Sequence, residues 1–480
     1  MLKYLNVFFD FMRPAFTRLA TFNWFIVIIV GIILKTDNYG VSSLIRSLNL
    51  DYKLYNNLLS FFHSNAYSID SLMNSWQLWV LKSNLGFIIN DRKVLIGDHT
   101  YTPKDGRKMP GVVAIHQNSE TSSKPSYFRG HFWGCISLLV NIPGKITSIP
   151  LLMKIHQGLK KISNNKKDKK NTLKKTSITS LILMAIDIAK TTENKYYLIL
   201  DGFFASGNSF LTSAKHTCKD STEQLVHLII HAKKNVVAYL SPTPKTQKKR
   251  GRKRKYGEKL KLFSLFDSWS EKFISTQATI YGKKEKITFF CLDLLWKPLK
   301  GKIRFVLANT SHGKIILMSS DLFLDPIKII ESYCFRITIE TMFDSFKNIM
   351  FGFSYHFWSK YSHKKKRIPS KKNNAYITDS SNPEKSHNKI ITIEKFVNLH
   401  VIALGLIQLI SIKFKNLIWS NSNCWLRTFS STIPSIFITK IAITNIVKNH
   451  LNVFAKNTII ELITKKQAKF LYNNDLDDSA

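Results

Sequence analysis

Acidic residues are scarce in this chain. Its 480 residues include 31 Asp and Glu against 71 Lys and Arg, which gives a formal net charge of +40 at pH 7. The basic excess is spread along most of the sequence and is not confined to one tail. A surface with so few acids favours a polyanionic partner, either a nucleic acid or an anionic membrane.

Cysteine and long hydrophobic runs are also rare. The most apolar run, residues 22–34, has 13 residues, whereas a membrane span needs roughly 20, so we predict a buried helix there. No small-residue cleavage site follows it, which argues against a signal peptide. The cysteines are odd in number and widely scattered, which excludes a disulfide framework and zinc spacing: they are Cys135, Cys218, Cys291, Cys334 and Cys424. Free thiols and no membrane partner fit a cytoplasmic protein.

No internal repeat divides the chain, so local pattern defines its organisation. Residues 1–88 are aromatic-rich and helical in pattern, and the stretch 40–64 predicts short helices capped by Ser42 or Ser43 and by Asp51. This spacing is compatible with a helix-turn-helix DNA-binding region. It is equally compatible with a small helical bundle that makes no contact with a DNA groove.

Residues 89–240 alternate between strands and helices. Asp98 and Asp201 each close an apolar strand in this pattern, and a capping-box pattern at Ser221 and Gln224 predicts a helix over 220–234. The other predicted elements are strands within 109–117, 130–142 and 235–241 and a helix over 176–193. The order predicts an α/β sheet with parallel members and helices on both faces, in which functional side chains lie at strand ends.

The second half of the chain contains two basic segments. The first, residues 248–255, has seven basic residues and one glycine and is either a solvated loop or an AT-hook-like contact with the minor groove. Its candidate DNA-binding residues are Arg250, Arg252, Lys253, Arg254 and Lys255. The second, residues 359–389, is predicted to be a linker. Residues 241–327 are predicted to be a β-rich insertion, and residues 390–480 a helical C-terminal region.

A helix predicted over residues 330–350 carries a line of polar side chains. Tyr333, Arg336, Glu340 and Lys347 fall within an arc of about 60° on such a helix. A stripe that faced a hydrophobic core would not contain a phenol, a guanidinium, a carboxylate and an ammonium. Glu340 alone is explained equally well as the solvated edge of its helix.

Asp98, Asp201 and Glu340 become informative if they meet in the fold. Carboxylates without histidine or cysteine are hard oxygen ligands that suit Mg²⁺ or Mn²⁺. Two such ions activate a water or a 3′-hydroxyl and stabilise the leaving oxygen in phosphoryl displacement. A basic protein with acids in one pocket is therefore a candidate phosphodiester-cleaving enzyme, although either aspartate alone is also typical of a turn or a cap.

The spacing Tyr333-(x2)-Arg336-(x3)-Glu340-(x6)-Lys347 resembles the signature of DDE-class insertion-sequence transposases. The segments "IGDHTYTPKDGRKMPGV" and "LILDGFFASG" resemble the first- and second-aspartate segments of those proteins. The resemblance extends from about residue 25 to residue 450. It implies an RNase H-like catalytic core, formed by residues 89–240 and 328–358, with a β-rich insertion between its last strand and the glutamate-bearing helix. About 140 residues separate Asp201 from Glu340, too many for one unstructured loop.

The resemblance also implies roles for individual residues. Asp98, Asp201 and Glu340 would bind two Mg²⁺ or Mn²⁺ ions, and Tyr333, Arg336 and Lys347 would contact DNA phosphates. Trp296 in the insertion is either a residue that stacks on a flipped base or an ordinary core tryptophan. His99 and His131 flank the expected pocket without a necessary role in a two-metal reaction.

The resemblance implies a transposase that binds the terminal inverted repeats of double-stranded DNA, cleaves there and joins the 3′-hydroxyl ends to target DNA. Synapsis of two ends implies a dimer or higher assembly, in a cytoplasmic, nucleoid-associated protein. Two alternatives stay open. One is an RNase H-like endonuclease or resolvase without strand transfer, and the other is an inactive basic DNA-binding derivative.

Overall fold

The fold is mixed α/β, with a large sheet between helical N-terminal and C-terminal regions. It is taken from a computed structural model that describes residues 1–104, 106–116, 127–142, 145–156, 176–218, 221–242, 254–362, 364, 381–426, 433–452 and 457–468. The lysine-rich stretch 157–175, most of the basic segment 248–255 and most of the predicted linker 359–389 lie outside these residues.

Helices form the N-terminal region, as predicted. They are α1 (Leu2–Met12), α2 (Leu19–Leu34), α3 (Ser42–Leu48), α4 (Tyr55–His63) and α5 (Ile69–Lys82). The apolar run 22–34 lies in α2 and is buried almost throughout, which confirms the prediction of a core helix. Asp51 caps the short turn after α3 by accepting a hydrogen bond from the Lys53 amide at 2.9 Å. The predicted serine cap of α3 is wrong, because Ser43 donates its hydroxyl to Asp37 instead.

The described strands form one mixed sheet. They are β1 (Ile88–Ile89), β2 (Arg92–Pro103), β3 (Val113–His116), β4 (Tyr127–Ile142), β5 (Lys145–Ile155), β6 (Tyr196–Leu200), β7 (Val226–His231), β8 (Val237–Tyr239), β9 (Lys259–Lys261), β10 (Ile274–Ile280), β11 (Lys283–Trp296), β12 (Gly301–Thr310) and β13 (Gly313–Ser319). The main order is β3-β4-β2-β6-β7-β13-β12-β11-β8-β9, with β1 beside β2, β5 beside β4 and β10 beside β11. Only β2–β6 and β6–β7 are parallel among these pairs.

Helices connect the parallel strands. They are α6 (Ser177–Thr192) before β6 and α7 (Gly207–Ala214) between β6 and β7. The helix predicted over 220–234 is wrong, because this stretch contains β7, whose Val226, Leu228 and Ile230 are fully buried. A short apolar run has no period that separates a central strand from a buried helix. The β-branched residues of this stretch and its parallel pairing with β6 favour a strand.

The β-rich stretch after residue 270 continues the same sheet. β13 pairs with β7 through Leu317–His231, Met318–Ile230 and Ser319–Ile229. β12 and β13 form a hairpin, with Thr310 opposite Gly313. α8 (Leu265–Ser268) lies earlier in this stretch, and α9 (Pro326–Cys334) and α10 (Ile337–Asp344) follow β13. The chain thus returns to the central strands immediately before the segment that carries Glu340.

The C-terminal region contains α11 (Pro383–Lys413), α12 (Lys415–Ser420), α13 (Ile436–Asn452) and α14 (Thr458–Thr464). α11 begins within the stretch that was predicted as linker. α11 is long enough and apolar enough to cross a membrane. However, 89% of its most apolar window is buried inside the protein. Such burial is that of a core helix.

Side chains of α11 and α5 cover the outer edge of β5. The fully buried Asn398 donates from Nδ2 to the Met153 carbonyl at 2.8 Å and accepts at Oδ1 from the Met153 amide at 3.0 Å. Glu394, Gln408 and, from α5, Trp76 bond to further backbone groups of β5. These contacts occupy groups that would otherwise be available to pair with another strand.

Lys35 is a buried cation between the N-terminal helices and the chain after α10. Its ammonium lies 3.2 Å from the Ser354 hydroxyl and 3.4 Å from the Phe351 carbonyl, and its side chain is 1% exposed. Burial, together with the positive charge of the nearby Lys440, lowers the pKa of Lys35 to about 7. The unfolded chain therefore binds this proton more readily than the folded protein between about pH 7 and the ordinary value of 10.5.

We expect Lys35→Met to raise the free energy of unfolding by a few kcal/mol at neutral and lower pH. The gain should shrink as pH rises above 7, because the folded wild-type protein then releases the proton of Lys35 while its unfolded chain still holds it, so that wild-type stability rises with pH. Urea unfolding of both proteins from about pH 6 to about pH 9 measures the difference. Lys53→Met, on an exposed turn, is the matched control and should show no such pH dependence. A pH-independent difference for Lys35→Met would contradict the prediction.

Candidate active site

Asp98 and Asp201 lie level with each other on neighbouring strands. The parallel pairing of β2 with β6 runs as far as Ile96 and Ile199, and two more residues along each chain reach the two aspartates. Asp201 follows the end of β6, as predicted. Asp98 does not close its strand, because β2 continues in antiparallel register with β4 as far as Pro103. The parallel pairing, rather than the strand, ends near Asp98.

Each aspartate accepts a hydrogen bond from the amide of the next residue. Asp98 Oδ1 lies 2.7 Å from the His99 amide nitrogen, and Asp201 accepts from the Gly202 amide as it caps a short helical turn. Burial raises the pKa of Asp98 to about 6; the negative charges of Asp201 and Glu340 also raise it, whereas the His99 amide and Arg336 lower it. Asp98 is therefore close enough to Asp201 and to Glu340 for their charges to act on it.

The segment that carries Tyr333, Arg336, Glu340 and Lys347 is not one continuous helix. α9 ends at Cys334, α10 begins at Ile337, and residues 345–349 form a π-helical turn. The Ser332 hydroxyl and the Cys334 thiol bond to carbonyls of the preceding turn, an arrangement that bends helices. The prediction of a single helix over 330–350 is wrong at this break.

Arg336 sits at the break and joins two of the acids. Its two terminal nitrogens lie 3.1 Å from Asp98 Oδ2 and 2.6 Å from Glu340 Oε1. The Arg336 and Asp98 side chains are 20% and 19% exposed, and that of Glu340 is 48% exposed. The guanidinium therefore brings the predicted glutamate and the first predicted aspartate into one cluster.

Tyr333 packs beside this cluster against a residue that the sequence did not indicate. Its ring stacks on His231 with centroids 5.8 Å apart, and burial raises the pKa of Tyr333 to about 12. His231 ends β7, and the negative charge of Asp201 raises its pKa against the larger lowering by burial. Because residues 220–234 were predicted as a helix, the position of His231 at a strand end was not recognised.

Lys347 lies against aromatic rings rather than in contact with the carboxylates. Its ammonium is 5.9 Å from the Tyr101 ring centroid and 6.0 Å from that of Phe343. Burial lowers the pKa of Lys347, and Asp344 partly offsets the effect. Tyr101 follows Asp98 on β2, so Lys347 is near the same stretch of the sheet.

Trp296 is a core residue in this structure. Its side chain is 6% exposed and packs edge-on against Phe210 with centroids 5.6 Å apart. A ring in this position has no open face for a base, which favours the core alternative over base stacking. Tyr281, in the turn between β10 and β11, is instead 50% exposed, and Arg336 and Glu340 both act on its pKa. No pattern in the sequence indicates that this turn approaches the acids.

The basic segment is only partly described. Arg250, Arg252 and Lys253 lie outside the described residues, whereas Arg254 and Lys255 are exposed before β9. Of the two histidines near the site, His131 is buried and His99 is partly buried. His131 bonds to the Tyr355 hydroxyl at 2.6 Å and to the Pro110 carbonyl at 2.8 Å, which fits a structural role. His99 packs against His156 with centroids 4.7 Å apart.

The acids suit a hard divalent cation in their chemistry, but their arrangement is not that of a closed metal site. Carboxylate oxygens are the ligands that Mg²⁺ and Mn²⁺ prefer. Among the residues that the structure describes, no three acids, histidines or cysteines are grouped so as to hold a metal ion. Arg336 occupies the space between Asp98 and Glu340.

Comparison with known families settles the broad identity of this chain. The family described as DDE superfamily endonuclease matches residues 12–286, which is more than half of the sequence. The chain belongs to the DDE superfamily of endonucleases. No curated protein matches it. Members of this family are nucleic-acid-cleaving enzymes. The matched range of this DDE endonuclease contains Asp98 and Asp201 but ends before Glu340.

Proposed function

We propose that this DDE endonuclease is a transposase that cleaves double-stranded DNA at the ends of its element and joins the 3′-hydroxyl ends to target DNA. The observation that carries the proposal is that Arg336 bonds Asp98 and Glu340, and Asp201 stands level with Asp98, on a protein of net charge +40. Such a protein attracts DNA through its basic surface and concentrates its carboxylates where chemistry is needed.

The carboxylates would hold Mg²⁺ or Mn²⁺, two ions in our proposal, and Asp98, Asp201 and Glu340 are the ligands. When bound, these ions would supply activation of the attacking oxygen and stabilisation of the leaving oxygen. The protein contributes the position of the acids: the register of β2 and β6 fixes two of them, and α10 presents the third. The amides of His99 and Gly202 orient the two aspartates.

The basic and phenolic groups would bind the DNA backbone. A guanidinium forks onto a phosphate, an ammonium acts as a point charge and a phenol donates one hydrogen bond; Arg336, Lys347 and Tyr333 offer these groups around the acids. Arg254 and Lys255 add exposed positive charge. Helices α1–α5 would contribute to recognition of the terminal repeats, and two DNA ends would be held by a dimer.

A cleavage and joining assay tests the proposal. The protein is incubated with Mg²⁺ and DNA that carries the element's flanking inverted repeats, and release of a 3′-hydroxyl end is measured. Joining of that end to a second duplex is then measured separately. Cleavage without joining would indicate the alternative, an endonuclease or resolvase. Binding without cleavage would indicate an inactive DNA-binding derivative, and either result would overturn the transposase proposal.

A further inference from the structure

The position of Arg336 raises a question about how the acids become available. Its guanidinium donates to Asp98 Oδ2 at 3.1 Å and to Glu340 Oε1 at 2.6 Å. Both bonds are charge-assisted, and the guanidinium and Asp98 are largely shielded from water, at 20% and 19% exposure. Arg336 thus neutralises the charge of two carboxylates that a divalent cation would need as ligands.

A divalent cation and this guanidinium cannot use the same oxygens together. The cation would have to take electron pairs from Asp98 and Glu340 that now accept hydrogen bonds from Arg336. A fixed positive charge a few ångströms away would also repel it. The inference rests on the proposed function, because it assumes that these acids are the metal ligands.

DNA provides a competitor for Arg336. A phosphate presents paired oxygens that match the two donating edges of a guanidinium as well as a carboxylate does. Arg336 lies at the break between α9 and α10, partly exposed, and its removal from the acids needs no change in the strands. The chain is strongly basic, so a phosphate backbone is drawn to it.

We propose that Arg336 closes the metal site while DNA is absent and that a DNA phosphate opens it by binding the guanidinium. Asp98 and Glu340 are then left without their counter-charge and take up the divalent cation. The acids would therefore become competent only on DNA. In this scheme Arg336 is a positioning residue whose partner changes from carboxylate to phosphate.

Mn²⁺ binding to the full-length protein tests the proposal. Free Mn²⁺ is followed by electron paramagnetic resonance, without and with a short duplex, and the signal change from duplex alone is subtracted. We expect wild-type protein to bind Mn²⁺ weakly without DNA and more tightly with it. Arg336→Ala should bind Mn²⁺ about tenfold more tightly than wild type without DNA, since two charge-assisted bonds no longer compete. Added duplex should then change its affinity little.

The controls separate this proposal from the one on which it rests. Arg304→Ala removes a guanidinium that bonds Asp293 at 2.8 Å elsewhere on the sheet, and should leave Mn²⁺ affinity unchanged. Asp98→Asn combined with Arg336→Ala should lose the tight Mn²⁺ binding. Arg336→Gln, which keeps a polar side chain of similar reach, replaces Arg336→Ala if thermal melting shows that the alanine variant is unfolded.

Two results would overturn the inference. Equal Mn²⁺ affinity of wild type and Arg336→Ala without DNA, with affinity still dependent on Asp98, would remove the role of Arg336 and leave the proposed metal site intact. Absence of any Asp98-dependent Mn²⁺ binding, with and without DNA, would remove the metal site and the inference with it.

Discussion

Asp201→Asn is expected to reduce DNA cleavage by at least about a thousand-fold, as removal of an essential catalytic group does. The substitution keeps the size of the side chain and its ability to accept the Gly202 amide, so the fold should be unchanged. It removes the negative charge that stands level with Asp98 across β2 and β6. Cleavage rates under a large excess of enzyme over DNA, together with thermal melting, measure both effects.

The matched control is Asp187→Asn. Asp187 is an exposed residue on α6, away from Asp98 and Asp201, and the same change of charge there should leave cleavage within about twofold. If Asp201→Asn cleaves as fast as Asp187→Asn, Asp201 is not part of the catalytic machinery. Retained DNA binding by Asp201→Asn would attribute the loss to the chemical step.

Asn398→Leu is expected to lower the free energy of unfolding by about 4 kcal/mol. The leucine side chain has a similar size, but it cannot replace the two hydrogen bonds to the Met153 backbone. Both the amide and the carbonyl of Met153 would then be buried without partners, at about 1–3 kcal/mol each. Urea unfolding of the full-length protein measures the change.

Asn388→Leu is the control for this experiment. Asn388 lies on the same helix, ten residues earlier, with an exposed side chain, and its replacement should change stability by no more than about 0.5 kcal/mol. A comparable loss from both variants would mean that helix propensity or solubility, and not the edge of β5, accounts for the effect.

The sequence was sufficient to predict where the two aspartates lie, but not which residues surround them. Asp98 and Asp201 follow apolar, β-branched runs, so local pattern was sufficient to place them near each other on a sheet. His231 was missed because a strand buried on both faces has no period that distinguishes it from a helix. The contact of Arg336 with Asp98 was missed as well, because it joins residues 238 positions apart, a separation at which no local pattern reports contact.

The same distinction applies to the predicted residues of the insertion. A tryptophan in "DLLWKP" is compatible with a core position or a surface position. Its burial and its contact with Phe210 on α7 are visible only in the structure. Tyr281 follows a strand and precedes a glycine, a pattern typical of any hairpin turn. That this turn lies near enough to Arg336 and Glu340 to sense their charges is a property of the assembled sheet.

The edge of β5 has a consequence for how the protein is made. Met153 leaves the ribosome well before its partner Asn398, which is 245 residues later in the chain. At about 5–20 residues per second, synthesis of that interval takes about 12–49 s. During this time the edge of β5 lacks the helix that covers it, and it is open to pairing with strands of other nascent chains. Slowing translation after residue 156, or truncating the chain so that it ends before α11, should therefore increase aggregation of newly made protein. Neither change alters an active-site residue.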